Sequence, residues 1–520
     1  MSGQETQPSV SIGEEKGQVE DIVIDVLASE PNRITVASRA EERRLVRKLD
    51  WRIMPMLAIM YLFAALVRAN LGNARLQGLP QDILHGDPTG VLFDWANSAF
   101  YFSYVTCQVP AVIASKFYPP RIWIGCVVIC WGLSSTLMAS AFDFPGLIVA
   151  RLALGVFEAG FSPVFPLYLS LFYTRGEIGL RMAGWTMFSA VAGAFGGLIA
   201  FGVQHAHAVL ANWRLLFLVE GIPSILLGVL ALVVLPDRPE ETVVFAERER
   251  EIAVERMNRG GGADVGRTLQ KKHIPIAFQD WKVRLTRSLR CYTLPTLHAV
   301  VLCVQLYAAG VMFFATNCAL AGLQGFLPTI IASFGFTDAV AQILTVPPYA
   351  VAVVILCLTM YVSDRLQRRG VFLVAAGVLA GIGYILLVAI PSNDHVRYFA
   401  TFCTCAGTSA NIALILTWFS HNLGSETKKA AGMPLYMSIG HCGSILGSHL
   451  FPTTDAPRYM KGFAVTSGLQ FLSALVAGVL MTYYTAENRR RDELYGRPTP
   501  GAPVDVSELA DKAHDFRYTP

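Results

Sequence analysis

The sequence predicts an all-α integral membrane protein, with twelve transmembrane helices in two six-helix bundles. Three observations carry that prediction. The 520 residues are 53% hydrophobic and 15% charged, whereas a soluble protein carries about 25% charge. The apolar residues gather in runs long enough to cross a bilayer, and twelve spans of about 20 residues use roughly 240 residues, close to the apolar content. The runs fall into six, a long polar gap, and six more. Three soluble domains would leave too little polar surface, and disorder needs far less apolar content.

The elements follow in chain order. Residues 1–50 open on a polar stretch, Met1 to about Ala40, without the apolar core of a secretory signal. A cytosolic disordered tail is expected there. Residues 51–235 hold apolar runs at 53–70, 93–114, 122–141, 146–172, 182–204 and 214–235, the predicted N-terminal bundle. Lipid leaves helices as the main option for such runs, because backbone polar groups must be satisfied internally. Residues 236–295 form a predicted cytosolic linker. Within it AEREREIAVERM, Ala246–Met257, alternates charge at helical spacing and predicts an amphipathic helix, expected to be solvated between the bundles. Residues 296–486 repeat the pattern at 296–331, 343–362, 371–390, 397–419, 432–451 and 462–484, and residues 487–520 form a second polar tail.

Orientation follows from basic residues in short loops. With the amino terminus inside, the inner loops hold Lys116, Arg121, Arg175, Arg181, Arg365, Arg368, Arg369, Lys428 and Lys429, and the outer loops only Arg75, Arg397, Arg458 and Lys461. Both termini are therefore expected in the cytosol. The net charge of +4 lacks an aromatic-interleaved basic patch, so nucleic acid is not an expected partner. Cysteines such as Cys126, Cys130, Cys403 and Cys405 lie within apolar runs and read as small buried hydrophobes. Paired zinc spacing is absent, so neither a metal site nor a disulfide framework is expected, and no cofactor is expected either.

The loop SDRLQRRG, Ser363–Gly370, resembles the loop motif of the major facilitator superfamily, and its Asp364, Arg365, Arg368 and Arg369 form a candidate gating loop with the arginines at the inner leaflet. A more specific match is RLALGVFEAGFSPVFPLYLSLFYTRGEIGLR, Arg151–Arg181, which is similar to the fungal anion:cation symporter branch, the allantoate, nicotinate and pantothenate permease-like proteins. The pieces LGNARLQGLPQD from Leu71, NWRLLFLVEGIPS from Asn212, LPDRPEE from Leu235, GFLPTIIASFGF from Gly325 and FPTTDAPRYMKG from Phe451 agree, and the resemblance covers about 50–490. It implies the major facilitator fold and a monomeric plasma-membrane carrier, not an enzyme. The implied activity is proton-coupled uptake of a small organic anion by alternating access. A proton-independent facilitator or exporter is the alternative, followed by a non-transporting nutrient sensor. The chain departs from the family pattern at Val67, where an acid usually precedes the arginine, at Gln108, usually glutamate, and at His441, usually asparagine. About thirty further residues, at 284–312, separate AFQDWKV from the FLPTI segment.

Ionisable residues at membrane depth are costly and mark function. Arg151, Gly155 and Glu158 stand at i, i+4 and i+7, one helix face. Glu158 with Arg151 is the candidate proton-coupling pair, or else a structural ion pair. Arg68, read as near the outer end of the first span, is a planar fork for a substrate carboxylate, or else snorkels to the surface. Asn70 joins it as a substrate-binding candidate. His441, beside Gly440, Gly443 and Gly447, is a candidate substitute titrating group or a core histidine. Asn411, Trp418 and Asn422, at i, i+7 and i+11, offer an aromatic wall and amides to a substrate, or else glue helices. Gln108 and Asn317 are polar singletons, and Glu220 is expected to be structural.

Overall fold

The computed structural model describes residues 39–206, 209–240, 245–259, 294–423, 426–497 and 515–520. Most of the expected amino-terminal tail, the linker beyond Arg259 and residues 498–514 lie outside the described residues, as do 284–293 of the additional segment. All regular structure among the described residues is helical. In chain order the helices are α1 Arg39–Leu76, α2 Leu79–Ile83, α3 Val91–Ser115, α4 Pro120–Met138, α5 Phe144–Glu158, α6 Val164–Ser170, α7 Arg175–Gln204 and α8 Asn212–Val234. They continue with α9 Glu247–Arg259, α10 Leu294–Ala332, α11 Asp338–Ile343, α12 Val346–Leu366, α13 Arg369–Ala389, α14 Asp394–Asn422, α15 Glu426–Ser448 and α16 Met460–Tyr495.

Every apolar run therefore becomes helix, and nine described helices are long and apolar enough to cross a membrane. The runs outside that set are instructive. Helix α3 carries Asp94, Asn97, Ser98, Ser103 and Gln108 as buried polar groups, so its interior face is polar. The fourth run, read from sequence as one span, is two helices. Helix α5 ends at Glu158 and α6 begins at Val164. Pro163 has no N–H to give the helix ladder, and its ring opposes a continuous helix. Gly160 sits in the turn, where its carbonyl accepts from the Trp123 indole at 2.8 Å. Irregular backbone at membrane depth needs such a protein partner.

Local signals set the other boundaries. Asp143 caps α5 by accepting from the Gly146 amide at 2.9 Å. Thr174 and Glu177 form a capping box at the start of α7. Helix α12 stops at Gln367, in the left-handed conformation at φ 53°.

Small residues bring helices together. On α4 and α8, Gly132 and Gly221 face each other so closely that a Cβ on either would meet the other's carbonyl at 3.1 Å. Gly443 and Gly447 of α15 abut the α10 backbone at Phe314 and Cys318, as the glycine stripe beside His441 predicts. Lipid offers no hydrophobic drive between helices, so close backbone approach supplies the contact energy. Across the halves, α3 packs on α15 and α7 packs on α12 and α14.

The linker helix departs from expectation. It forms where AEREREIAVERM predicts it, but it is docked rather than solvated. Ile252, Ala253 and Arg256 are buried. Arg256 donates to the Phe172 carbonyl at 2.7 Å and pairs with Glu177 at 3.3 Å, while Lys48 pairs with Glu249 at 2.6 Å. Alternating charge at helical spacing predicts the helix, yet it cannot show that Arg256 finds a buried carbonyl.

Candidate functional site

The break between α5 and α6 leaves Glu158 at a helix end, deep inside the protein and 1% exposed. Its carboxylate is ion-paired with the guanidinium of Arg68, whose side chain is only 9% exposed. Helix α1 continues to Leu76, so Arg68 stands two turns inside the helix rather than at its outer end. It does not snorkel: it turns inward, with its charged centre 5.8 Å from the ring centroids of both Phe100 and Tyr104. Rings at that distance attract a cation through their quadrupole.

Arg151 is not the partner that the one-face spacing suggested. It is 1% exposed and donates to the Ala96 carbonyl and to Asn97 Oδ1, each at 3.1 Å. Asn97 in turn donates to Ser448 of α15 at 3.0 Å, so Arg151 orients a bond that crosses the halves. Its guanidinium lies 5.6 Å from the centroid of Phe100, the ring that Arg68 also approaches. Gly155, on the same face, lets α3 approach closely: an added Cβ would strike Ser103 and the Phe100 carbonyl. The spacing put these residues on one face correctly. It could not show that α1 supplies the closer arginine.

His441 faces the same region from α15. Its ring meets Tyr104 edge-on at 4.8 Å and Phe313 at 5.6 Å. Three residues earlier, Ser438 donates to Gln108 Oε1 of α3 at 3.0 Å. Buried polar atoms without a hydrogen-bond partner around this cluster include Arg68 Nε, Glu158 Oε2, Gln108 Nε2 and His441 Nδ1. Buried polar groups are normally paired, so this set can accept a polar ligand or water. A small cavity is lined by Ala65 and Ala69, which flank Arg68 in sequence on α1, and by residues of α7, α10, α12 and α14, among them Ser189, Gln324, Tyr349 and Ser409.

The remaining candidates are not brought to this cluster. Asn70, two residues from Arg68, points to another side of α1, where it donates to the Leu216 carbonyl at 3.5 Å and lies beside buried Glu220. Asn411 donates to Gln470 at 3.4 Å, and Gln470 donates to the Ala315 carbonyl at 2.9 Å, which ties α14, α16 and α10 together. Trp418 and Asn422 bond to the backbone of Thr519. In the candidate gating loop, Asp364 pairs with Arg369 at 2.5 Å, and Arg369 is buried rather than at the leaflet. Arg365 and Arg368 are exposed.

Sequence reasoning missed the aromatic wall. Tyr61 stacks on Trp185 at 3.9 Å, and Trp185 stacks on Phe165 at 4.1 Å. Tyr61, Tyr101 and Tyr104 all lie within electrostatic reach of Arg68. An aromatic in an apolar run carries no signal of its own. The break at Glu158 did carry one, the Gly160–Pro163 stretch. Among the described residues, no group of three His, Cys, Asp or Glu side chains is placed to hold a metal ion.

Comparison with known proteins places this geometry. Residues 57–448 match the family described as Major Facilitator Superfamily. The major facilitator-type transporter hxnP of Emericella nidulans is 30% identical, over 92% of this chain and 93% of its own. The high-affinity nicotinic acid transporter of Saccharomyces cerevisiae is 28% identical, over 92% of this chain and 85% of its own. Among solved structures, the xylose transporter XylE of E. coli, in a partially occluded inward-open conformation, superposes with a TM-score of 0.61 at 12% identity, over 82% of this chain and 96% of that one.

Proposed function

The chain belongs to the major facilitator superfamily as a multi-pass membrane protein, and from that premise we propose that it couples proton movement to the uptake of a small organic anion, a carboxylate. The observation that carries this reading is the buried ion pair of Arg68 and Glu158. A substrate carboxylate competes with Glu158 for the planar fork of Arg68. When the substrate wins, Glu158 loses its cation in a water-poor site, and a proton from solution balances its charge. Release of the substrate restores the pair and discharges the proton. Binding and protonation are thereby linked through one arginine.

The surrounding residues support an anion of modest size. Phe100 and Tyr104 of α3 face Arg68, Gln108 on the same helix offers its unpartnered Nε2, and His441 offers Nδ1 from α15 opposite. The nicotinic acid transporter among the relatives handles an aromatic carboxylate, which fits such a setting. Alternating access follows from two bundles, 51–235 and 296–486, rocking about this site. The Asp364–Arg369 pair fastens the candidate gating loop between α12 and α13. The reading includes a plasma-membrane monomer with both termini in the cytosol.

Uptake of radiolabelled nicotinate, pantothenate, biotin, allantoate and dipeptides at two pH values tests the proposal. Substrate identity comes from the screen, and Glu158→Gln tests the coupling. Uptake by that variant with an unchanged pH dependence removes Glu158 as the carrier. A second reading, a proton-independent facilitator, draws on Val67 and on Gln108, which is already hydrogen-bonded to Ser438. Counterflow that proceeds equally with and without a pH gradient favours it.

A further inference from the structure

Residues 515–520, read from sequence as the end of a polar tail, lie against the ends of α14 and α16 and the start of α13 in an unusually regular way. Asn488 of α16 donates to the Tyr518 carbonyl at 2.7 Å and accepts from the Tyr518 amide at 2.9 Å. Asn422 of α14 does the same to the next residue, donating to the Thr519 carbonyl at 3.1 Å and accepting from its amide at 2.9 Å. Each asparagine thus clasps both backbone groups of one residue, as a neighbouring β-strand would. Trp418 adds a third bond, from its indole to the Thr519 carbonyl at 2.8 Å.

Side chains supply the selectivity that backbone bonds lack. The Tyr518 ring stacks on Tyr484 at 4.8 Å and 12°, and the Arg491 guanidinium lies 4.9 Å from its centroid. Tyr518 is 6% exposed and belongs to the hydrophobic cluster that includes Trp418 of α14 and Leu480 of α16. Arg517 pairs with Asp492 at 2.8 Å and donates to the Gly496 carbonyl at 2.7 Å. The Pro520 carbonyl accepts from Gly370, the last residue of the SDRLQRRG loop, at 3.2 Å.

We propose that these helix ends form a peptide-binding groove whose ligand is the chain's own extended segment 515–520, read through its backbone by Asn422 and Asn488 and through its side chains at Arg517 and Tyr518. The occupied groove fastens α13, α14 and α16 at the gating-loop end, so that this end of the C-terminal half moves as one body. Trp418 and Asn422 are then groove residues, outside the transport site. The groove fits an extended peptide with an aromatic residue preceded by a basic one. In recognition of extended peptides, backbone bonds supply affinity and side-chain pockets supply selectivity.

Amide hydrogen exchange on the full-length protein in detergent tests this directly, because the amides of Tyr518, Thr519 and Gly370 are themselves the donors. Protection of all three is expected in the wild-type chain, with loss of at least about tenfold in the Asn422→Ala/Asn488→Ala double variant, in line with the loss of several charge-free backbone bonds. Unprotected Tyr518 and Thr519 amides in the wild type overturn the proposal. So does undiminished protection in the double variant. A second measurement titrates fluorescently labelled hexapeptide DFRYTP onto the chain lacking 515–520. Saturable binding there, absent on the full-length chain and weakened much more by a Tyr518→Ala change in the peptide than by Thr519→Ala, is the expected result. Equal binding to both chains, or equal effects of the two changes, counts against the groove.

Discussion

The two halves fill the middle of the protein with different chemistry. In the N-terminal half the buried groups include charges: Arg68, Glu158 and Arg151 around Phe100, with Glu220 farther along α8. In the C-terminal half the described buried charges, Arg369, Arg397, Glu487 and Arg491, sit toward helix ends. Its interior instead offers amides and an imidazole, Asn411, Gln470, Asn317 and His441. A buried charge is expensive without a partner, whereas a buried amide needs only hydrogen bonds. The contrast therefore divides the labour. Under the proposed function, the N-terminal half carries charge recognition and coupling, and the C-terminal half shapes the opposite wall.

The largest expected effect is that of Arg68→Ala. Anion uptake should fall at least about a hundredfold, and the unpaired Glu158 should destabilise the protein by about 3–5 kcal/mol. The double variant Arg68→Gln/Glu158→Gln should regain the thermal stability and leave uptake absent, which separates folding from function. If Arg68→Ala keeps its uptake, the charged half is not the binding half.

Next comes Glu158→Gln, which should abolish the response of uptake to a pH gradient while retaining exchange of substrate in counterflow. His441→Asn should weaken apparent affinity by about tenfold, the scale of one hydrogen bond to a charged ligand, with the pH profile in place. A profile that moves with His441 would break the contrast by giving the C-terminal half a proton of its own. Smaller still is Asn411→Ala. It removes the bond to Gln470 and should cost about 1 kcal/mol of stability in thermal unfolding, with uptake changed less than twofold. A loss of uptake much larger than the loss of stability would move Asn411 into the site.

The smallest effect concerns the docked linker helix on the N-terminal half. The hydrogen bond from Lys48, aided by the Ala246 amide, holds the Glu249 carboxyl below the usual carboxylate range against a weaker opposing effect of burial. A lowered folded-state value means that the contact contributes at neutral pH and is lost as pH falls through that value, below 4.5. Proteolysis of the linker should therefore accelerate on acidification, and Glu249→Gln should show the faster cleavage already at pH 7. The group is partly exposed, so screening keeps the effect modest.

Much of the fold was legible because a bilayer imposes a simple rule. Apolar runs near 20 residues become helices, although the fourth breaks into two between Glu158 and Val164. The docked helix at Glu247–Arg259 was legible in its charge pattern, and the close approach of Gly155 to α3 in its spacing. The partners were not. Arg151 and Glu158 share a face, yet Glu158 pairs with Arg68, 90 positions earlier in the chain. Trp418 and Asn422 share a face with Asn411, yet they hold Thr519, and Asn411 holds Gln470. Helical spacing says which residues look the same way. It does not say what they look at.

By itself, then, the sequence determined the class of protein, the positions of its spans and the short set of ionisable residues at membrane depth. Those follow from the transfer cost of single residues and from helical periodicity, both local properties of the chain. The tertiary structure alone decided which cation balances Glu158, which aromatics face that pair, and that a polar segment at 515–520 lies in a groove. Each depends on helices distant in sequence meeting at a fixed register, and register is set by small-residue packing summed over the whole bundle.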